Sequence, residues 1–121
     1  MYNVEYGGYS FSKKALDEYN DIKSSADPNH ITEKYGFNID RTDPVMISIV
    51  KKLGNEANNS FHSDIVIEEI PLIYKNYYEI KEYDGLEEII IKKNKYKVDM
   101  IRKIMNSGNE KLIEIQKILD L

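Results

Sequence analysis

The chain has 121 residues, a net charge of −4 and no cysteine. That length suits one domain with its own apolar core, and the lack of thiols excludes disulfides and thiolate metal sites. The acidic balance argues against general attraction to duplex nucleic acid or anionic lipid. No apolar run reaches the ~18 residues of a membrane span, and Met1 to Ser10 carries no secretory pattern.

Tyr2, Val4 and Tyr6 alternate with polar neighbours, which predicts a short strand closed by Gly7-Gly8. Ser10 or Ser12 can cap a following helix with Phe11, Ala15, Leu16, Tyr19 and Ile22 at helical spacing. Phe37 and Ile39 predict a short extended segment. Asp43-Pro44 is a helix start, because Asp accepts from free N–H groups and Pro fits the first turn. Val45, Ile49 and Leu53 form that helix's apolar stripe, and Gly54 stops it. Asp64 to Ile70, Tyr77 to Glu82 and Leu86 to Ile91 read as strands, the last two joined by a turn at Tyr83-Asp84-Gly85. Three consecutive isoleucines, Ile89 to Ile91, predict burial on both faces. Lys92 to Tyr96 reads as a basic connector before two short helices, broken at Ser107-Gly108. The second of these carries Leu112, Ile115 and Leu119 on one face, with Ile113, Ile118 and Leu121 in excess of one stripe. Either this helix is sandwiched within the monomer, or a second copy of the chain covers that excess.

Chemistry-bearing residues are few. His30 and His62 stand alone in polar loops, without partners at metal-ligand spacing. Gly7-Gly8 is a tight turn first, although its N–H groups could face an anion. Asp64 with Glu79 and Lys81 on a neighbouring strand has the general pattern of a metal-dependent nuclease, in which carboxylates hold Mg²⁺ and Lys orients water. Glu and Lys are so frequent here that this spacing is also expected by chance. The Lys92–Tyr96 stretch combines cations for phosphate, an amide for a base edge and an aromatic for stacking. Of the 17 basic residues only Arg41 and Arg102 are arginine, so each is a candidate for bidentate recognition that Lys cannot copy.

Five elements, in order over residues 6–91, resemble a family of phage proteins. They are Tyr6-Gly7-Gly8-Tyr9-Ser10-Phe11-Ser12-Lys13-Lys14-Ala15, Arg41-Thr42-Asp43-Pro44, Leu53-Gly54, Val66 to Pro71 and Glu82 to Glu87. The family is similar to this chain in these elements and is the Thoeris anti-defence family 1. The resemblance implies a sponge that sequesters glycocyclic ADP-ribose, or a related cyclic nucleotide, without degrading it. It also implies homodimers, some built into hexamers, with the ligand near the dimer interface, and action in the cytoplasm of an infected bacterium. The chain departs from the family at Asn94-Lys95-Tyr96, where relatives often carry Arg and Trp, and the helices from Val98 onward lie outside the matching elements.

These readings predict an α+β fold: a small antiparallel sheet, N-terminal helices and a C-terminal helical pair, with residues 1–121 as one ligand-binding and oligomerising domain. The expected function is binding, not catalysis, with no cofactor and no metal. Phosphate contacts are expected from Arg41, Lys95 and Arg102, stacking from Tyr96 or Phe11, and base or ribose hydrogen bonds from Asn94. The alternatives are a nuclease using Asp64, Glu79 and Lys81, and a small protein–protein adaptor.

Overall fold

The computed structural model describes residues 1–30, 32–107 and 112–121. The fold is α+β, as expected. Its elements run β1 (Tyr2–Asn3), α1 (Lys13–Ala26), α2 (Pro44–Leu53), β2 (Ile65–Val66), β3 (Tyr78–Tyr83), β4 (Leu86–Ile91), α3 (Lys93–Asn106) and α4 (Leu112–Leu119). β1 pairs antiparallel with β2, Tyr2 opposite Val66 and Asn3 opposite Ile65, while β3 and β4 form a second two-stranded sheet. The chain divides into two compact units, residues 1–68 with 80–88, and residues 69–79 with 89–121.

The first unit is built on α1 and α2. Ser12 caps α1 by accepting from the Ala15 N–H at 3.2 Å. Asp43 caps α2 by accepting from Val45 and Met46 N–H at 2.9 and 3.1 Å, with Pro44 in the first turn. Gly54 ends α2 at a positive φ of 57°, a conformation that suits glycine. Ala15, Leu16 and Tyr19 of α1 meet Met46, Ile49 and Val50 of α2, with Phe11, Ile39, Ala57 and Ile65 closing the same core.

Polar groups join the rest of this unit. Asn3 is wholly buried. Its Nδ2 donates to the Glu5 and Gly85 carbonyls at 2.7 and 2.8 Å, and its Oδ1 accepts from Asp64 N–H at 2.8 Å. One amide thus ties β1 to the start of β2 and to the hairpin turn, where Asp84 and Gly85 take φ of 51° and 88°.

The second unit holds α3, α4 and a short turn of 3₁₀ helix at Leu72–Tyr74. Tyr96 meets Tyr74 and Tyr77 edge-on, with ring centroids 5.2 and 5.3 Å apart. Tyr77 Oη donates to Asp99 at 2.9 Å, and Lys97 Nζ donates to the Leu119 carbonyl at 3.2 Å, tying α3 to α4.

Several local expectations are corrected. Lys93 to Tyr96 is the first turn of α3, not a connector: Lys is a good helix former and nothing in the stretch breaks a helix. Residues 37–39 form turns, and only Ile65–Val66 of the predicted Asp64–Ile70 strand pairs. Ile89, Ile90 and Ile91 are each half-buried, because a two-stranded ribbon has no central strand to bury both faces. Glu87 of β4 is buried. The predicted break at Ser107-Gly108 is met at Ser107, which ends α3; Gly108 lies outside the described residues.

Candidate functional site: a cleft beside the first helix

A cleft of about 450 Å³ opens in the first unit between α1 and residues 32–35. Its floor is apolar: Leu16 from α1 and the edge of Phe11, itself only 1% exposed and packed edge-on against Tyr9 at 5.1 Å. Tyr35 forms a wall and keeps 40% of its surface open. Its carbonyl accepts from Phe11 N–H at 3.0 Å, which fixes the wall to the floor.

The polar lining comes from three directions. Thr32 Oγ1 donates to Asn20 Oδ1 at 2.6 Å and meets His30 Nε2 at 2.7 Å. Because the Asn20 oxygen is engaged there, its NH₂ is the group it can offer a ligand. Asn59 Nδ2 reaches Ser10 Oγ at 3.3 Å on the other side. Lys13 and Lys34 supply ammonium groups at the rim; Lys13 pairs with Asp17 at 2.7 Å, and Lys34 Nζ lies 5.3 Å from the Tyr35 ring centroid. The carboxylates Asp17 and Glu33 line the cleft as well, so its two cations are balanced by two anions; an apolar floor, an exposed ring and orientated amides can hold a planar heteroaromatic body, with Lys34 and Lys13 as the cations within reach of an anionic group. The Asn20–Thr32–His30 chain was not apparent from sequence, since the three groups meet only when the loop after α1 folds back.

The six site residues expected from sequence fall in two places. Phe11 and Arg41 belong to the first unit. Arg41 is paired bidentately: its Nη1 and Nη2 donate to Glu87 Oε1 and Oε2 at 2.5 and 2.7 Å, and its guanidinium lies 3.6 Å from the Tyr9 ring centroid, with about a third of the side chain exposed. Two of its five N–H groups are taken by Glu87, which leaves the others for a further acceptor. Asn94, Lys95, Tyr96 and Arg102 share α3 in the second unit. Asn94, Lys95 and Arg102 are exposed, whereas Tyr96 is half-buried in the tyrosine trio. Lys95 and Arg102 stand two helical turns apart, about 10 Å along one face.

The residues of the nuclease alternative are arranged differently. Asp64 Oδ1 lies 3.5 Å from Asn58 Nδ2 in the first unit, and Glu79 pairs with Lys92 at 3.4 Å in the second. Among the described residues no three carboxylate or imidazole groups gather where one cation could be held. Nor is any helix of the described residues long and apolar enough to cross a membrane.

Burial and hydrogen bonding tune two tyrosines and one carboxylate near the core. Burial raises the pKa of the Tyr9 hydroxyl, which donates to the Ile39 carbonyl at 3.0 Å. Burial, then the hydrogen bond to Asp43, raises that of Tyr19. For Asp43 itself burial works upward, but bonds from Tyr19 and Met46 N–H and the Lys23 ammonium outweigh it and hold the carboxyl below its usual range.

Comparison with known proteins gives no match to a family model, a curated protein or a solved structure.

Proposed function

We propose that this protein binds and sequesters a small cyclic nucleotide of the cyclic ADP-ribose type without degrading it, blocking Thoeris defence in the cytoplasm of an infected bacterium. The observation that carries the reading is the 450 Å³ cleft beside α1, which lies in the size range of small-molecule sites and has their mixture of apolar floor and few orientated polar groups. The resemblance of five sequence elements to Thoeris anti-defence family 1 supports the ligand class. Tyr35 and the Phe11 edge receive the base, Asn20 and Asn59 bind polar edges, and Lys13 and Lys34 face the pyrophosphate.

Assembly belongs to the same proposal. Leu112 and Ile113 of α4 are 77% and 74% exposed, more apolar surface than an isolated helix face leaves in water. A second copy covers it, giving a homodimer or a higher oligomer such as a hexamer. Lys95, Arg102 and Asn94, on the exposed side of α3, then serve as phosphate and base contacts delivered from a neighbouring copy.

Calorimetric titration with glycocyclic ADP-ribose tests this. Tyr35→Ala is expected to weaken binding by one to two decades, the range for losing a base–aromatic stack of about 1–3 kcal/mol. Wild-type affinity in both Tyr35→Ala and Asn20→Ala would remove the cleft as the site. No binding by the wild-type chain to any cyclic ADP-ribose isomer would remove the function.

A further inference from the structure

Three loops meet at one end of the first unit because two glycines permit backbone contact. A Cβ on Gly7 would lie 2.0 Å from the His62 carbonyl oxygen, and one on Gly85 would lie 2.6 Å from the Gly8 nitrogen and 3.0 Å from the Tyr6 carbonyl oxygen. The loops carry Tyr6, Phe61 and Tyr83, which are 60%, 100% and 77% exposed. Residues 5–8, 60–62 and 82–85 also hold Glu5, Glu82 and Asp84, and neither Lys nor Arg. Beside Tyr83 a concavity of about 530 Å³ runs along the hairpin, lined by Leu86, by the carboxylates Glu82, Glu87 and Glu88, and by one cation, Lys81, so acidic groups outnumber basic ones there.

Phe61 is the most informative of these residues. Its φ is 62°, a left-handed conformation that favours glycine and disfavours an aromatic side chain. Four hydrogen bonds hold the turn beneath it: His62 and Ser63 N–H donate to the Asn59 carbonyl at 2.9 and 3.0 Å, and Ser63 Oγ accepts from Asn59 N–H and donates to the Ser10 carbonyl, both at 2.8 Å. A phenyl ring is thus held wholly in water at a position where Gly or Asn would be more stable. Neither core packing nor turn geometry accounts for it, whereas an anchoring contact with a partner does.

Charge identifies the partner. Aromatic faces interleaved with carboxylates suit a guanidinium, which stacks on a ring while its fork pairs with an acid. We propose that this end of the protein binds an arginine-bearing basic segment of another protein, with guanidinium groups on Tyr6, Phe61 and Tyr83 and their charge met by Glu5, Glu82, Asp84 and Glu88. The Phe61 turn borders the cleft beside α1 through Asn59, which lines that cleft, but the inference does not depend on the nucleotide reading.

Fluorescence anisotropy of the full chain with labelled nona-arginine and nona-lysine peptides, at about 0.15 M salt to screen long-range attraction, tests the proposal. Nona-arginine is expected to bind more tightly than nona-lysine. Phe61→Gly should weaken nona-arginine binding by roughly 2–5-fold, the equivalent of one exposed cation–π contact, while its melting temperature holds or rises. Adding Tyr6→Ser and Tyr83→Ser should abolish the arginine preference. Equal affinity for the two peptides, binding of neither, or unchanged nona-arginine affinity in a folded Phe61→Gly chain would overturn it.

Discussion

Arg41 is held on two sides, by both oxygens of a buried Glu87 and by the face of Tyr9. Glu87 also accepts from Asn3 N–H at 2.8 Å, so this buried carboxyl group depends on these donors. Arg41→Ala would strand it, and breaking one side of such a pair costs about 3 kcal/mol or more. Urea unfolding of Arg41→Ala should show that loss, and Arg41→Ala with Glu87→Leu should recover part of it. A loss below about 1 kcal/mol would mean the pair behaves as a surface contact. Asp43 sets a second expectation, through pH. Its folded pKa lies below the unfolded value of about 3.9, so its stabilisation is complete above that value and disappears as pH falls through the depressed folded pKa. Acid titration of stability should therefore be shallower in Asp43→Asn. Equal acid limbs in the two proteins would contradict this.

At the scale of elements, the parts legible in sequence are those fixed by adjacent residues. Ser12, Asp43-Pro44 and Gly54 mark helix ends because caps act within a few positions, and Asp84-Gly85 marks the hairpin because both residues tolerate positive φ. The start of α3 was not legible: Lys92 makes no side-chain cap, so nothing local separates a basic helix from a basic loop. Asn3, Arg41 and Glu87 could not be read as a group either, because Asn3 and Glu87 are 84 positions apart and Arg41 and Glu87 are 46 apart. The cleft had one legible residue, Phe11; Asn20, Thr32 and Tyr35 join it only through the folded loop. The C-terminal helix carries the remaining expectation at this scale. Ile113, 74% exposed, should lie in a self-contact, so light scattering coupled to size exclusion should give at least twice 14.2 kDa for the wild type. Ile113→Glu should lower that mass. A wild-type monomer across a tenfold dilution would contradict the proposed assembly.

For the whole molecule, two compact units divide the features between them. The first holds the nucleotide-sized cleft and the aromatic, acidic end; the second holds the cationic side of α3 and the exposed apolar side chains of α4. The chain is proposed to bind without turnover, and a ligand held at 100 times its Kd should stabilise the fold by about 2.7 kcal/mol. The most direct test is to load the protein with glycocyclic ADP-ribose, remove free ligand, denature by heat and analyse the supernatant by chromatography. The expected result is recovery of intact ligand in proportion to protein. No retained ligand, or a cleaved product in its place, would contradict the claim.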